Sequence, residues 1–128
     1  MCLDTVSERK PKSTGIGYKA FKYSPDGGLV GEFASKENVR PVGEWLKAKD
    51  YSPNDEERGM MGHIRGEYKP GWHIYKTLDG IRDWMGGLFG EFFIIKKVKY
   101  RKAHTQGVAS SNRRGIVADE IFITREVI

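Results

Sequence analysis

Residues 92–102 read FFIIKKVKYRK, and this stretch decides the fold. Its even positions are Phe92, Ile94, Lys96, Val98 and Tyr100; its odd positions begin with Phe93 and Ile95 and then become Lys97, Lys99 and Arg101. Successive side chains of a strand leave opposite faces, so a period of two predicts one face on a core and an outer face that turns basic. Toward the C-terminus, residues 103–115 are rich in Gly, Ser and Asn and predict a loop carrying His104, Arg113 and Arg114. The apolar run that follows, IVADEIFITREV at 116–127, predicts a closing strand antiparallel to 92–102.

Working back toward the N-terminus, GWHIY at 71–75 reads as a short strand. Thr77 is placed to cap a helix, because its hydroxyl can accept from a free N–H of the first turn. Leu78, Ile81, Trp84 and Met85 then share one helical face, and Gly86-Gly87 stops the helix, which predicts α-structure over 78–85. Earlier still, GIGYKAFKY and LVGEF flank the turn-forming SPDGG, a hairpin over 16–34. Residues 40–46 suggest a strand end or helical turn anchored by Trp45. Residues 47–70 carry no period and predict a long polar loop, a length that in a compact domain signals function or mobility. Residues 1–14 mix charge with Ser, Thr and Pro and predict an extended arm. The expected architecture is α+β: a compact, mainly antiparallel sheet with one short helix, in a single domain over 15–128.

The composition fits that reading. A chain of 128 residues that is 38% hydrophobic and 12% aromatic can bury a core without disulfides or metal. No apolar run is long enough to span a bilayer, and the first residues lack the apolar segment of a signal peptide. A single cysteine points to a reducing compartment, with the cytoplasm as the expectation.

The net charge is +5, and it is local. Between Glu91 and Asp119 lie Lys96, Lys97, Lys99, Arg101, Lys102, Arg113 and Arg114 with no acid, so these seven leave the remainder at −2. Phosphates respond to summed potential and to guanidinium forks, which makes the strand 96–102 and the loop 104–114 a candidate site for a nucleotide or nucleic acid. Lys97, Lys99, Arg101, Lys102, His104, Arg113 and Arg114 are its candidate contacts. Tyr100 and His104 add groups that stack on or hydrogen-bond a base. The plainer alternative is a solvated face whose lysines deter edge-to-edge pairing.

Other candidates are more isolated. Arg65 sits among glycines in GMMGHIRG, which matches no phosphate-binding loop. Trp72, after Pro70-Gly71, is placed either in the core or at a pocket mouth, and His73 beside it at a strand end is a candidate base or a satisfied histidine. The three histidines lack metal-ligand spacing, and neither a metal nor a cofactor is expected. Cys2 would bear a free amine if the initiator methionine is removed, the arrangement of N-terminal nucleophile enzymes, although a buried or incidental cysteine is the commoner case. A third function class is a protein-binding inhibitor that grips an acidic host surface with the loop 47–70 and the basic strand. An apolar edge along 116–128 offers a route to a homodimer.

Four stretches, MCLDT at 1–5, GWHIYKTLDG at 71–80, KVKYRKAHTQG at 97–107 and VADEIFI at 117–123, resemble those of small bacteriophage and prophage proteins without assigned activity. The resemblance implies a viral origin, residence in the host cytoplasm, and counter-defence by binding, either sequestering a signalling nucleotide or blocking an immune nuclease. It assigns no active residue, and the loop 47–70 departs from the pattern.

Overall fold

The computed structural model describes residues 3, 5–23, 28–31, 39–51, 68–69, 71–82, 94–109 and 113–126. They form an α+β fold built on one antiparallel sheet of seven strands: β1 Thr5–Val6, β2 Gly15–Tyr23, β3 Leu29–Gly31, β4 Trp45–Lys47, β5 Trp72–Tyr75, β6 Ile94–Ala109 and β7 Arg113–Ile123. The short helix α1 spans 78–82 of the expected 78–85, the rest lying outside the described residues. Thr77 caps it as its side chain predicts, accepting from the Gly80 N–H at 3.0 Å.

Of the loop expected over 103–115, residues 103–109 and 113–115 are strand, and 110–112 lie outside the described residues. β6 runs on to Ala109 and β7 starts at Arg113, so His104 and Arg113 are strand residues. The polar composition misleads because pairing on both sides supplies the backbone partners: β7 lies opposite 105–109, and β1 pairs on the other side with Thr5 opposite Val108. Gly107 makes room for β1, since a Cβ there would collide with the Thr5 carbonyl oxygen. The extended arm expected over 1–14 is docked on the sheet, with Leu3 fully buried and Thr5 and Val6 paired to β6. The polar run 47–70 likewise begins in ordered structure, as β4 leads into a 3-10 turn at Ala48–Asp50. The closing strand also starts three residues earlier than 116.

β6 pairs with β2 and β7, β7 pairs with β5, and β5 meets β2 where Tyr18 lies opposite Tyr75, so four strands close a ring. Inside lie Phe21, Trp72, Ile74, Val98, Tyr100, Ile116, Ala118, Ile121 and Ile123. A second, outer cluster joins Leu3, Ala20, Tyr75, Ile81, Ala109 and Val117 over one half of the sheet. β7 is flanked by β6 on one side and by β5 and then β4 on the other. The edge-to-edge dimer expected along 116–128 thus finds no free edge over 115–122.

One irregularity organises the ring. Tyr100 and Ala103 on β6 both pack on the inner core, as do Ala118 and Ile121 on β7, so the in–out alternation slips on both strands. Lys102 sits at the slip with φ 57°, a left-handed conformation costing a lysine about 1 kcal/mol. A bulge follows between Ala103 and Thr105, which makes His104 the extra residue.

The ring closes at Gly17, where an added Cβ would meet the Ile74 side chain and lie 2.7 Å from the Tyr75 carbonyl oxygen. Gly17→Ala should destabilise the protein by about 1–3 kcal/mol, read as a lowered denaturant midpoint. An unchanged midpoint would mean that β2 and β5 do not meet there.

Candidate functional site

Lys97, Lys99 and Arg101 alternate with the inward Val98 and Tyr100 and so take the outer face, where Lys97 borders the outer cluster at Tyr18 and the face beyond it is open. Register brings them partners from three other strands. Ile16 of β2 lies opposite Lys99, Lys99 opposite Phe122 of β7, and Phe122 opposite Trp45 of β4. All four side chains share one face. Ile16 is 54% exposed, Lys99 is exposed, and the two rings are half-buried. The rings touch each other at 5.6 Å between centroids. Each also carries a cation: the Lys99 ammonium lies 5.5 Å from the Phe122 centroid and the Arg101 guanidinium 4.0 Å from that of Trp45. Such contacts between a cation and a ring face are attractive through the ring quadrupole.

The window that holds no acid in sequence meets three in space. Glu120, opposite Arg101, is almost fully buried and accepts from the guanidinium at 2.7 Å and from Lys102 Nζ at 2.7 Å. The Lys102 hydrogen bond, aided by Arg101, holds its carboxyl below the usual glutamate range, although burial opposes this. Lys97 pairs with the exposed Glu126 at 3.2 Å. His104 faces Asp119 at 3.2 Å, with Lys69 on the same carboxylate.

The seven-charge window also splits. Arg113 and Arg114 lie opposite Ala109 and Val108, at the far end of the β6–β7 hairpin. That end is ten residues from Lys99, about 30 Å of strand contour. His104 stays near the slip and contacts Thr105 Oγ1 at 2.8 Å. The expected basic strand is one cluster; the expected basic loop is elsewhere.

Trp72 is fully buried, its indole N–H donating to the Leu46 carbonyl at 3.0 Å, so it belongs to the core rather than to a pocket mouth. Two buried cations flank it. Lys19 donates to the His73 carbonyl at 2.9 Å, and Arg40 lies against both Trp72 and Tyr51, whose rings touch each other. His73 points to the opposite face, where its Nε2 meets Tyr68 Oη at 2.9 Å. The same phenol accepts from the Leu3 N–H at 3.2 Å. Burial, reinforced by nearby positive charge including Lys19, pushes the His73 pKa well below the usual histidine range and keeps the ring neutral. Cys2 and Arg65 lie outside the described residues.

Trp45, Phe122, Ile16 and Glu120 are the residues that sequence reading missed as site members. Phe122 carries a usable signal, since it alternates with the inward Ile121 and Ile123 and so must face out. Trp45 carries none, because its three-residue strand is fixed only by pairing with β7.

The two titrating groups separate in pH. The depressed pKa of His73 means that the unfolded chain takes up a proton first, so stability should fall as pH drops below about 6.5. Glu120 contributes stability above its unfolded value of about 4.5, lost as pH falls further. Thermal midpoints across pH 7 to 3 should show both limbs. His73→Gln should flatten the upper one and Glu120→Gln the lower, the latter variant losing about 1–3 kcal/mol at neutral pH. An upper limb unchanged in the His73 variant would place that titration on another group.

No protein-family model, no curated protein and no solved structure matches the chain.

Proposed function

We propose that the protein binds an anionic ligand of nucleotide or nucleic-acid type through the outer face of β6, β7 and β4. One observation carries the reading: Lys99 and Arg101 each lie over an aromatic ring that stays partly open to solvent. A cation beside an accessible ring offers a phosphate partner and a base-stacking surface together. The plainer explanation of the lysines as guards of a sheet edge loses its footing here. Over 98–101, β6 is paired with β7 on one side and, over 94–100, with β2 on the other.

The pairing with acids does not remove the positive potential. Among the described residues, Arg101 and Lys102 share one carboxylate, Lys99 has an aromatic partner instead of an acid, and the partly exposed Lys97–Glu126 pair exchanges readily for a phosphate contact.

Fluorescence anisotropy with labelled oligonucleotides and nucleotides, titrated with salt, tests the proposal. The double variant Lys97→Glu/Lys99→Glu should lower affinity at low salt by tenfold or more and reduce the salt slope by about one per lost phosphate contact. Arg114→Glu, at the distant end of the hairpin, should leave both nearly unchanged. Wild-type protein that binds no member of the panel at low salt would overturn the reading.

A further inference from the structure

The extent of the same face says more about its ligand. We infer that it takes single-stranded nucleic acid, at least two nucleotides at a time, in preference to a mononucleotide or a duplex. The inference rests on the anion-binding reading above and narrows it.

Lys97, Lys99 and Arg101 repeat along β6 at every second residue, a step of about 6.6 Å, so three cations span roughly 13 Å of one strand. Across the strands, the row Ile16, Lys99, Phe122, Trp45 crosses three inter-strand steps, about 14 Å. One nucleotide covers a fraction of that area. A chain of phosphates running along β6, with bases laid across β7 and β4, occupies all of it.

The aromatic groups exclude a duplex as the preferred ligand. A base pair inside a helix keeps its faces stacked on its neighbours, and only a splayed base can lie on a protein ring. Phe122 is half-buried with the Lys99 ammonium over its ring, so a base would reach the ring beside a cation that can take its phosphate. Trp45 offers its surface through Arg101, whose guanidinium lies over the indole while its side chain stays 41% exposed. A guanidinium plane stacks on bases as an aromatic ring does.

Glu120 is the positioning residue in this arrangement. Both its bonds to Arg101, from Nε and from Nη2, converge on one oxygen, while the other oxygen holds Lys102. The guanidinium is therefore held along its edge, and its plane is set before a ligand arrives. That ordering is done in the free protein, which lowers the entropy lost on binding.

The test uses the intact protein and four probes: a mixed-sequence oligonucleotide of roughly ten residues, the same sequence as a duplex, a nucleoside triphosphate, and heparin as a polyanion without bases. The single strand should bind tenfold or more tightly than the duplex or the triphosphate. Phe122→Ala and Trp45→Ala should each weaken it by about tenfold while changing heparin binding little. Glu120→Gln should weaken the single strand despite raising the net positive charge; a purely electrostatic surface would instead bind it more tightly. If a ring variant fails to fold, Phe122→Leu keeps the packing and removes the stacking face. Duplex binding as tight as the single strand, or heparin and oligonucleotide affinities that fall together in the ring variants, would overturn the inference. A triphosphate bound as tightly as the oligonucleotide would overturn it and leave the broader anion-binding reading standing. Failure of every probe would remove both.

Discussion

The pairing of β6 with β7 governs everything else in this protein. It is the longest ladder of the sheet, running from Val98 opposite Ile123 to Ala109 opposite Arg113. Every other strand except β3 is placed by one of these two: β1 and β2 by β6, β4 and β5 by β7. A ladder of such length in two strands close in sequence forms at modest loop-closure cost, and it then presents ready edges to the rest of the chain. The core follows from it, because the inward residues of both strands, from Val98 and Tyr100 to Ile116 and Ile121, make the floor on which Trp72 and Phe21 pack.

A straight ladder would carry one apolar and one polar face from end to end. Here the alternation slips at Lys102 and the strand bulges at His104, which allows a long pair to bend and close a ring with β2 and β5. The outer face is divided as a result. Leu3, Tyr75 and Ile81 cover it beyond the bulge and Ala20, Tyr18 and Ile95 join the same cluster at the start of β6; between them it is left with Lys99, Arg101, two aromatic rings and Ile16. The buried Glu120 lies at the boundary and ties the two ends of the slip together through Arg101 and Lys102. Architecture and candidate site thus share one local device.

Much of this was legible in sequence, for reasons that can be named. Period two over 94–101 identified the strand and the facing of its lysines, and the apolar pattern of 116–123 identified its partner. Thr77 announced its helix through a hydroxyl at the right place. What stayed hidden depended on contacts between distant residues. The segment 103–109 looks like a loop because nothing local shows that β1, about a hundred residues earlier, will pair with it. The acid-free window looked unopposed because Asp119 and Glu120 come into reach only when β7 folds back. Trp45 looked like a core anchor because its strand is three residues long and gains its facing wholly from Phe122 and Ile121.

The slip and bulge between residues 101 and 105 also determine how this chain tolerates change in length. Substitutions there alter a charge or a contact, whereas loss or gain of one residue alters phase. With the register of β7 fixed, a one-residue deletion would exchange inside for outside along 94–101, turning Val98 and Tyr100 to solvent and Lys97 and Lys99 into the apolar interior. Related chains that keep this ring should therefore hold the spacing from Val98 to Thr105 constant. That spacing, more than the identity of any one basic residue, would mark a distant relative of this fold.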